Sequence, residues 1–178
     1  MASDNRTIRL DSPEGREISA LYELARQIRA PFLEQAISIE RLIDDIIAWH
    51  FCATEELRAQ FFSTVLGGAD LSFSAKINIL ETTLRLAYYE VYQKHKTLRE
   101  ELDKIRSFRN RLVHSMLDTS DEFMGKSQRD RIQLVFYEDG RKKQHIITVA
   151  DIDKRLRSCT AALRALIEVQ KVVSKGAA

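Results

Sequence analysis

Between Leu98 and Met116 the apolar residues Leu98, Leu102, Ile105, Phe108, Leu112 and Met116 recur at intervals of four, three, three, four and four. A helix turns by about 100° per residue, so this spacing gathers all six on one stripe and drives the intervening charges to other sides. Thr97 precedes the stripe and Glu100 follows three residues later, the pattern of a capping box. A chain built around such a helix must supply other apolar stripes to cover it.

It supplies several. Ile18, Leu21, Tyr22, Leu24, Ala25 and Ile28 predict a first amphipathic helix that ends or kinks near Pro31. Phe32, Leu33, Ala36, Ile39, Ile43, Ile46, Ile47 and Phe51 predict a second, with Pro31 in its first turn. Thr54 caps a short helix reaching Leu66, which Gly67-Gly68 breaks. Ile77, Leu80, Leu84 and Leu86 mark another from Ser72 or Ser74, extended by Tyr88, Tyr89, Val91 and Tyr92. Ser115 and the polar run from Asp118 to Asp121 predict a connection. Residues 131–137 and 144–149 are rich in strand formers, with Glu138-Asp139-Gly140-Arg141 as the turn between them. Thr148 and Asp151 start a last helix carrying Ile152, Leu156, Cys159, Ala162, Leu163, Leu166, Val169 and Val173. The expected fold is mainly α, an up-and-down helical bundle with a small β-hairpin (about residues 131–149) inserted before the last helix. Residues 1–13 are expected to be a flexible start, 14–174 one domain and 175–178 a tail.

Composition narrows the function classes. The 178 residues are 44% hydrophobic and 30% charged, as in a folded globular protein. Cys52 and Cys159 are too few for a disulfide framework and lack metal-ligand spacing. The first residues lack the apolar stretch of a secretory leader, and no segment is apolar enough to span a bilayer, so a cytoplasmic location with no membrane partner is expected. A formal charge of +2 gives no nucleic-acid footprint by itself. Local clusters are more informative: Arg99, Lys104, Arg106, Arg109 and Arg111 form one, and Lys126, Arg129, Arg131, Arg141, Lys142, Lys143 and Lys154 another.

The chemistry concentrates in Arg106-Ser107-Phe108-Arg109-Asn110-Arg111-Leu112-Val113-His114. Asn110 and His114, four apart, share a helix face, and Arg106 lies on the same ridge; Arg109 and His114, five apart, are about 140° around the axis. Attack of a ribose 2′-hydroxyl on its phosphate needs a base, stabilised phosphoryl oxygens and a proton for the departing 5′-oxygen. Imidazole exchanges a proton near neutrality, which makes His114 the acid or base of this set. Arg109 offers a fork of donors to phosphate oxygens, and Asn110 can orient the ring or the substrate. Arg106, Arg111 and Lys104 are candidate RNA-binding residues. This inventory requires no metal and no cofactor. One imidazole serves one transfer at a time, so a homodimer facing two such helices would complete the set. From spacing alone, the same cations can instead serve the free carbonyls of a helix end.

The stretch Arg109-Asn110-Arg111-Leu112-Val113-His114 resembles the Arg-x4-6-His signature of the HEPN domain (higher eukaryotes and prokaryotes nucleotide-binding), including the polar residue after the arginine. At the level of pattern the similarity extends over residues 16–172, with the hairpin as an insertion. The resemblance implies a helical core, a dimeric shared cleft and metal-independent endoribonuclease activity in which Arg109 and His114 carry catalysis and Asn110 supports them. It also implies a toxin or antiphage-defence setting, with an antitoxin or another defence protein as partner. Some toxin members carry a tyrosine two residues beyond the histidine; here Met116 stands there, so modification at that tyrosine does not carry over. A noncatalytic HEPN-like RNA-binding or protein-interaction module is the alternative, and a helical assembly protein a third.

Other groups read more plainly. His50 suits the edge of a core, and Glu40, Asp44 and Asp45 a solvated or cleft-facing acidic patch rather than a metal site. His95 and His145 suit surface or hairpin positions. Tyr88, Tyr89 and Tyr92 suit helix packing ahead of base stacking. The hairpin edge offers a pairing surface.

Overall fold

A computed structural model describes residues 11–68, 71–124, 130–138 and 140–176. Its order is α1 (Pro13–Phe51), α2 (Glu55–Phe61), a π-helical turn (Phe62–Leu66), α3 (Phe73–Ala87), α4 (Tyr89–Lys94), α5 (Leu98–His114), β1 (Met116–Leu117), α6 (Asp121–Met124), β2 (Arg131–Glu138), β3 (Arg141–Thr148) and α7 (Val149–Gly176). The protein is mainly α, with a small antiparallel sheet before the last helix. No helix among the described residues is long and apolar enough to cross a membrane. Most of the expected flexible start, Lys126 and Arg129 of the second basic cluster, Asp139 of the turn and the last two residues lie outside the described residues. Lys175 and Gly176 of the expected tail belong to α7.

The chain divides into two compact units, Met1–Pro31 with Arg111–Asp153, and Phe32–Asn110 with Lys154–Ala178. The helices α1, α5 and α7 contribute residues to both.

The second unit is helical. Its buried residues include Phe32, Ile39, Ile43, Ile46 and Ile47 from α1, Ile77 and Leu80 from α3, Leu102 and Phe108 from α5, and Leu166 and Val169 from α7. Phe32 and Phe108 meet edge to face, with ring centroids 4.8 Å apart, and the Arg155 guanidinium sits 3.7 Å from the Phe108 centroid. Thr54 caps α2 as expected, and Ser72, one of the two starts left open, caps α3, their hydroxyls accepting from the backbone N–H groups of Leu57 and Ala75. The short helix after Thr54 loosens into a π-helical turn before Gly67. The tyrosine stretch does not simply extend α3: the backbone breaks at Tyr88 (φ −134°, ψ 52°) and restarts as α4.

Within this unit Lys76 is 5% exposed and Asp44 3%. The Lys76 ammonium donates to Asp44 Oδ2 at 2.8 Å and to Glu40 Oε1 at 3.0 Å. The acidic residues of α1 are therefore neither a metal cluster nor all solvated, since two of them hold a buried lysine that their sequence neighbourhood does not reveal. Burial pushes the Asp44 carboxyl above its usual range despite that lysine. Burial also works against the Lys76 ammonium, and its hydrogen bonds to the two carboxylates more than reverse the effect, raising its pKa.

The first unit holds the sheet, in order β1-β2-β3. β2 and β3 pair from Arg131↔Thr148 to Glu138↔Arg141, and Gly140 takes φ +72° at the connection, a left-handed backbone that glycine adopts without steric cost. Tight register carries β3 back to Arg141, three residues before the apolar stretch that announces it. Met116 and Leu117 pair with Val135 and Leu134, so the expected connection after Ser115 contains a strand. Met116 accordingly leaves the α5 stripe and is 60% exposed, because the helix ends at His114. Asp118, buried just beyond β1, accepts from Ser120 N–H at 3.0 Å, Gln133 Nε2 at 2.6 Å and Gln144 Nε2 at 3.3 Å. Burial opposes ionisation there, but these donors prevail and hold the Asp118 carboxyl below its ordinary range. At the start of α7 the Thr148 hydroxyl accepts from Asp151 N–H at 3.1 Å and Asp151 Oδ2 accepts from Thr148 N–H at 3.1 Å. That reciprocal pair is the cap expected from sequence.

One expectation fails instructively. Pro31 neither ends α1 nor begins a new helix, because Leu21, Ala25, Ile28, Phe32, Ala36 and Ile39 stay in phase across it and all are buried. Pro31 itself is exposed, so its ring points away from that stripe, and burial along the stripe offsets the lost backbone hydrogen bond.

Two outcomes follow. Lys76→Ala leaves Asp44 buried without its cation and should cost about 3 kcal/mol in urea unfolding at neutral pH. Because Asp118 has a lowered folded pKa, its stabilisation is present above its unfolded value and disappears as pH falls through the folded one. Asp118→Asn should therefore be less stable than wild type at neutral pH, and the gap should close on acidification in parallel urea titrations.

Candidate functional site

Helix α5 presents its chemistry according to its apolar stripe. Leu98, Leu102, Ile105, Phe108 and Leu112 are all buried, which leaves the charged residues on the remaining sides. Acidic residues occupy its first turn and Arg111 and His114 its last, an order that complements the helix dipole.

The upstream cations are compensated. Arg99 Nε donates to Asp103 Oδ2 at 2.9 Å, and Arg99 Nη1 also bonds Glu81. Arg106 Nε donates to the other oxygen, Asp103 Oδ1, at 3.2 Å. Lys104 lies 3.7 Å from Glu100. The Arg99 guanidinium is raised in pKa, first by its hydrogen bond to Asp103. Burial alone would raise the Asp103 carboxyl, and its two arginines bring it below the ordinary value instead. Two of the sequence-predicted RNA contacts, Arg106 and Lys104, thus carry carboxylate partners on their own helix. The spacing of Asp103, four after Arg99 and three before Arg106, makes this neutralisation readable from sequence.

The downstream cations differ. In the second unit Arg109 Nη1 donates to Asn110 Oδ1 at 3.1 Å, a neutral acceptor. No carboxylate among the described residues lies within ion-pair reach of Arg109. The Asn110 oxygen, expected to orient a ring or a substrate, is engaged by its neighbour. In the first unit the Arg111 guanidinium stands 5.7 Å from the Phe136 ring centroid on β2, a cation-π arrangement with no ion pair among the described residues. Arg111 contributes the smaller part of the field that lowers the Glu138 carboxyl, Lys143 supplying the larger. Phe136 could not be paired with Arg111 from sequence, because the hairpin joins distant parts of the chain.

His114 is the last residue of α5 and is exposed. Ser115, buried immediately after it, returns its hydroxyl to the Arg111 carbonyl and satisfies one of the acceptors that a helix end leaves free. The candidate set therefore occupies one continuous helix, with Arg109 and Asn110 in one compact unit and Arg111 and His114 in the other.

The other candidates have local explanations. His50 Nδ1 and Tyr88 Oη are 3.3 Å apart, and the His50 ring stands edge-on to Phe51 and Tyr88, at the core edge as expected. His95, mostly covered rather than at the surface, has Nε2 3.3 Å from Glu168 Oε2, an oxygen that also accepts from Lys94 at 2.6 Å. His145 is half-buried on β3. Tyr89 is exposed and lies 6.3 Å from the Tyr92 ring. Lys143 of the hairpin is paired with Glu138.

No protein-family model, no curated protein and no solved structure matches this chain.

Proposed function

We propose that the protein is a metal-independent endoribonuclease of the HEPN type, acting as a homodimer whose two α5 ends share one cleft. The observation that carries the reading is the division of charge along α5. Arg99, Lys104 and Arg106 are answered by carboxylates at ion-pair distance, whereas among the described residues Arg109 bonds only an amide oxygen and Arg111 sits over an aromatic face in the wider field of Glu138, with no ion pair. Those two guanidiniums precede the exposed His114, the one imidazole of that helix. A phosphodiester needs such uncancelled donors, and a proton transfer needs an accessible ring.

In the proposed reaction one His114 takes the proton of the ribose 2′-hydroxyl as its oxygen attacks phosphorus. The bond from phosphorus to the 5′-oxygen breaks, and His114 of the second copy protonates that oxygen. The products are a 2′,3′-cyclic phosphate and a 5′-hydroxyl. Arg109 and Arg111 hold the non-bridging oxygens, where negative charge grows. Asn110 exchanges its bond to Arg109 for one to the substrate. All protons and leaving groups are handled by side chains of this chain, so the scheme calls on no metal. A cytoplasmic toxin or antiphage effector, restrained by an antitoxin or another defence protein, is the setting that fits such an activity.

Single-stranded RNA incubated with the protein in excess chelator should yield cyclic-phosphate ends. His114→Ala and Arg109→Ala should each slow cleavage by at least about 100-fold, the scale of a lost proton-transfer group or oxyanion donor. Asn110→Ala should have a smaller effect. Cleavage unchanged in both of the first two variants would remove the reaction from this helix. RNA binding that depends on Arg109 without any product would replace the enzyme with a noncatalytic RNA-binding module.

A further inference from the structure

In the helical unit of Phe32–Asn110 and Lys154–Ala178, an open cavity of about 340 Å³ separates two stripes of side chains. On α1 the stripe is Asp45, Ala48 and Trp49, spaced as i, i+3 and i+4. Facing it are Glu55, Arg58 and Ala59 of α2, with Phe62 opening the π-helical turn one step further along the same row. The space exists because Ala48 and Ala59 are small where the two rows face. Its volume lies in the range of small-ligand sites, about 300–1,000 Å³. π-Helical turns are also found frequently at functional sites.

The walls have a definite chemistry. The Arg58 guanidinium covers the Trp49 ring, 3.7 Å from its centroid, and Arg58 Nη1 donates to the Cys52 carbonyl at 3.4 Å, which anchors the plane. Phe62 adds a second aromatic side chain that is more than a third exposed. The carboxylates of Asp45 and Glu55 make no ion pair with any described residue. The surrounding protein removes enough water from Asp45 to raise its carboxyl pKa. A cationic group seated in the cavity would be opposed by Arg58 and an anionic one by two carboxylates, so the phosphate of a nucleotide must stay outside while its base enters. What suits the cavity is a neutral, flat ring that stacks on its aromatic and guanidinium faces and donates N–H groups from one edge.

Among nucleobases that description selects guanine. Its Watson–Crick edge carries two adjacent donors, N1–H and the N2 amino group, matching the two oxygens of one carboxylate. Adenine and cytosine instead turn an unprotonated ring nitrogen toward the acceptor. We propose that this cavity is a base-reading pocket that stacks a guanine against the Trp49-Arg58 pair and Phe62 and accepts its N1–H and N2 donors on Asp45. The base can come from a free guanine nucleotide or from single-stranded RNA; RNA as the source rests on the ribonuclease reading above, whereas the pocket does not.

Trp49 is the only tryptophan of the chain, so its fluorescence reports on this cavity without any need for turnover. Guanosine monophosphate titrated into the full-length protein should quench it saturably, and adenosine monophosphate should bind at least about tenfold more weakly, the scale of one bidentate base contact. Asp45→Asn lies on an exposed position, and it should weaken the guanine nucleotide by about tenfold and erase the preference over adenine. Glu55→Gln should change affinity less than Asp45→Asn. The same titrations on His114→Ala, with an oligoadenylate carrying one central guanine and with oligoadenylate alone, separate the sources. Tighter binding of the guanine-bearing RNA than of the mononucleotide assigns RNA, and equal binding assigns the free nucleotide to the same pocket. Absence of saturable quenching, equal response to guanine and adenine nucleotides, or a guanine preference that survives Asp45→Asn would overturn the proposal. His114→Ala should quench like wild type, so loss of nuclease activity and loss of the pocket are read separately.

Discussion

The apolar stripe of α5 governs everything that the helix can do. With Leu98, Leu102, Ile105, Phe108 and Leu112 buried, a charged residue of this helix is left only the arc outside the stripe, and its position in the heptad decides its neighbours. Asp103 falls between Arg99 and Arg106 and answers both. Arg109 and Arg111, further along the helix, make no ion pair with that carboxylate. The difference between compensated and uncompensated cations is thus a consequence of phase on one helix, and the stripe that sets the phase is fixed by burial worth about 25 cal/mol for each Å² of apolar surface. Electrostatics at the exposed end is subordinate to packing along the buried one.

The two compact units solve the problem of buried polarity differently. In the helical unit a lysine is drawn under the surface and held between two carboxylates of α1, an arrangement in which geometry must offset desolvation. In the sheet-bearing unit the buried carboxylate of Asp118 is satisfied by neutral donors, a backbone N–H and two glutamine side chains. That choice ties the end of β1 to both hairpin strands without adding a charge. It also explains how so short a strand as β1 persists, since its two residues are followed directly by this hydrogen-bonded anchor and by the Asp118 N–H donating to the Gln133 carbonyl at 2.8 Å.

Helical periodicity made much of this legible beforehand. The caps at Thr54, Ser72 and Thr148, the hairpin with its glycine, and the stripes of α1, α5 and α7 all follow from residues close in sequence, where spacing translates directly into geometry. What escaped were contacts between distant segments. Lys76 reads as an ordinary surface lysine of α3 until Glu40 and Asp44 are brought to it, and β1 contains only two residues, too few for an alternating pattern. Pro31 escaped for a different reason: the local rule against proline inside a helix is correct, but the stripe on either side is in phase and overrides it. At the candidate site, residue types and order were legible, whereas the neutralisation of Arg99 and Arg106 by Asp103 escaped a reading that counted both as a basic cluster, although helical spacing implies it. The Arg111-Phe136 contact and the facing of Trp49 by Arg58 were not legible, because each depends on a turn geometry that sequence leaves open.

A formal charge of +2 conceals a local imbalance. Each carboxylate that is committed to a neighbouring arginine or lysine is withdrawn from the long-range balance, so the field near an uncompensated guanidinium is set by what remains within about 10 Å, a Debye length in moderate salt. The last turn of α5 carries Arg111 and His114, whose positions suit the partial negative charge of the helix end. The single hydrogen bond from Arg109 to Asn110 leaves most of the arginine fork available, and it holds the side chain in one orientation at the modest strength of a charged-to-neutral contact. An ion pair there would hold it more firmly and would cancel its charge.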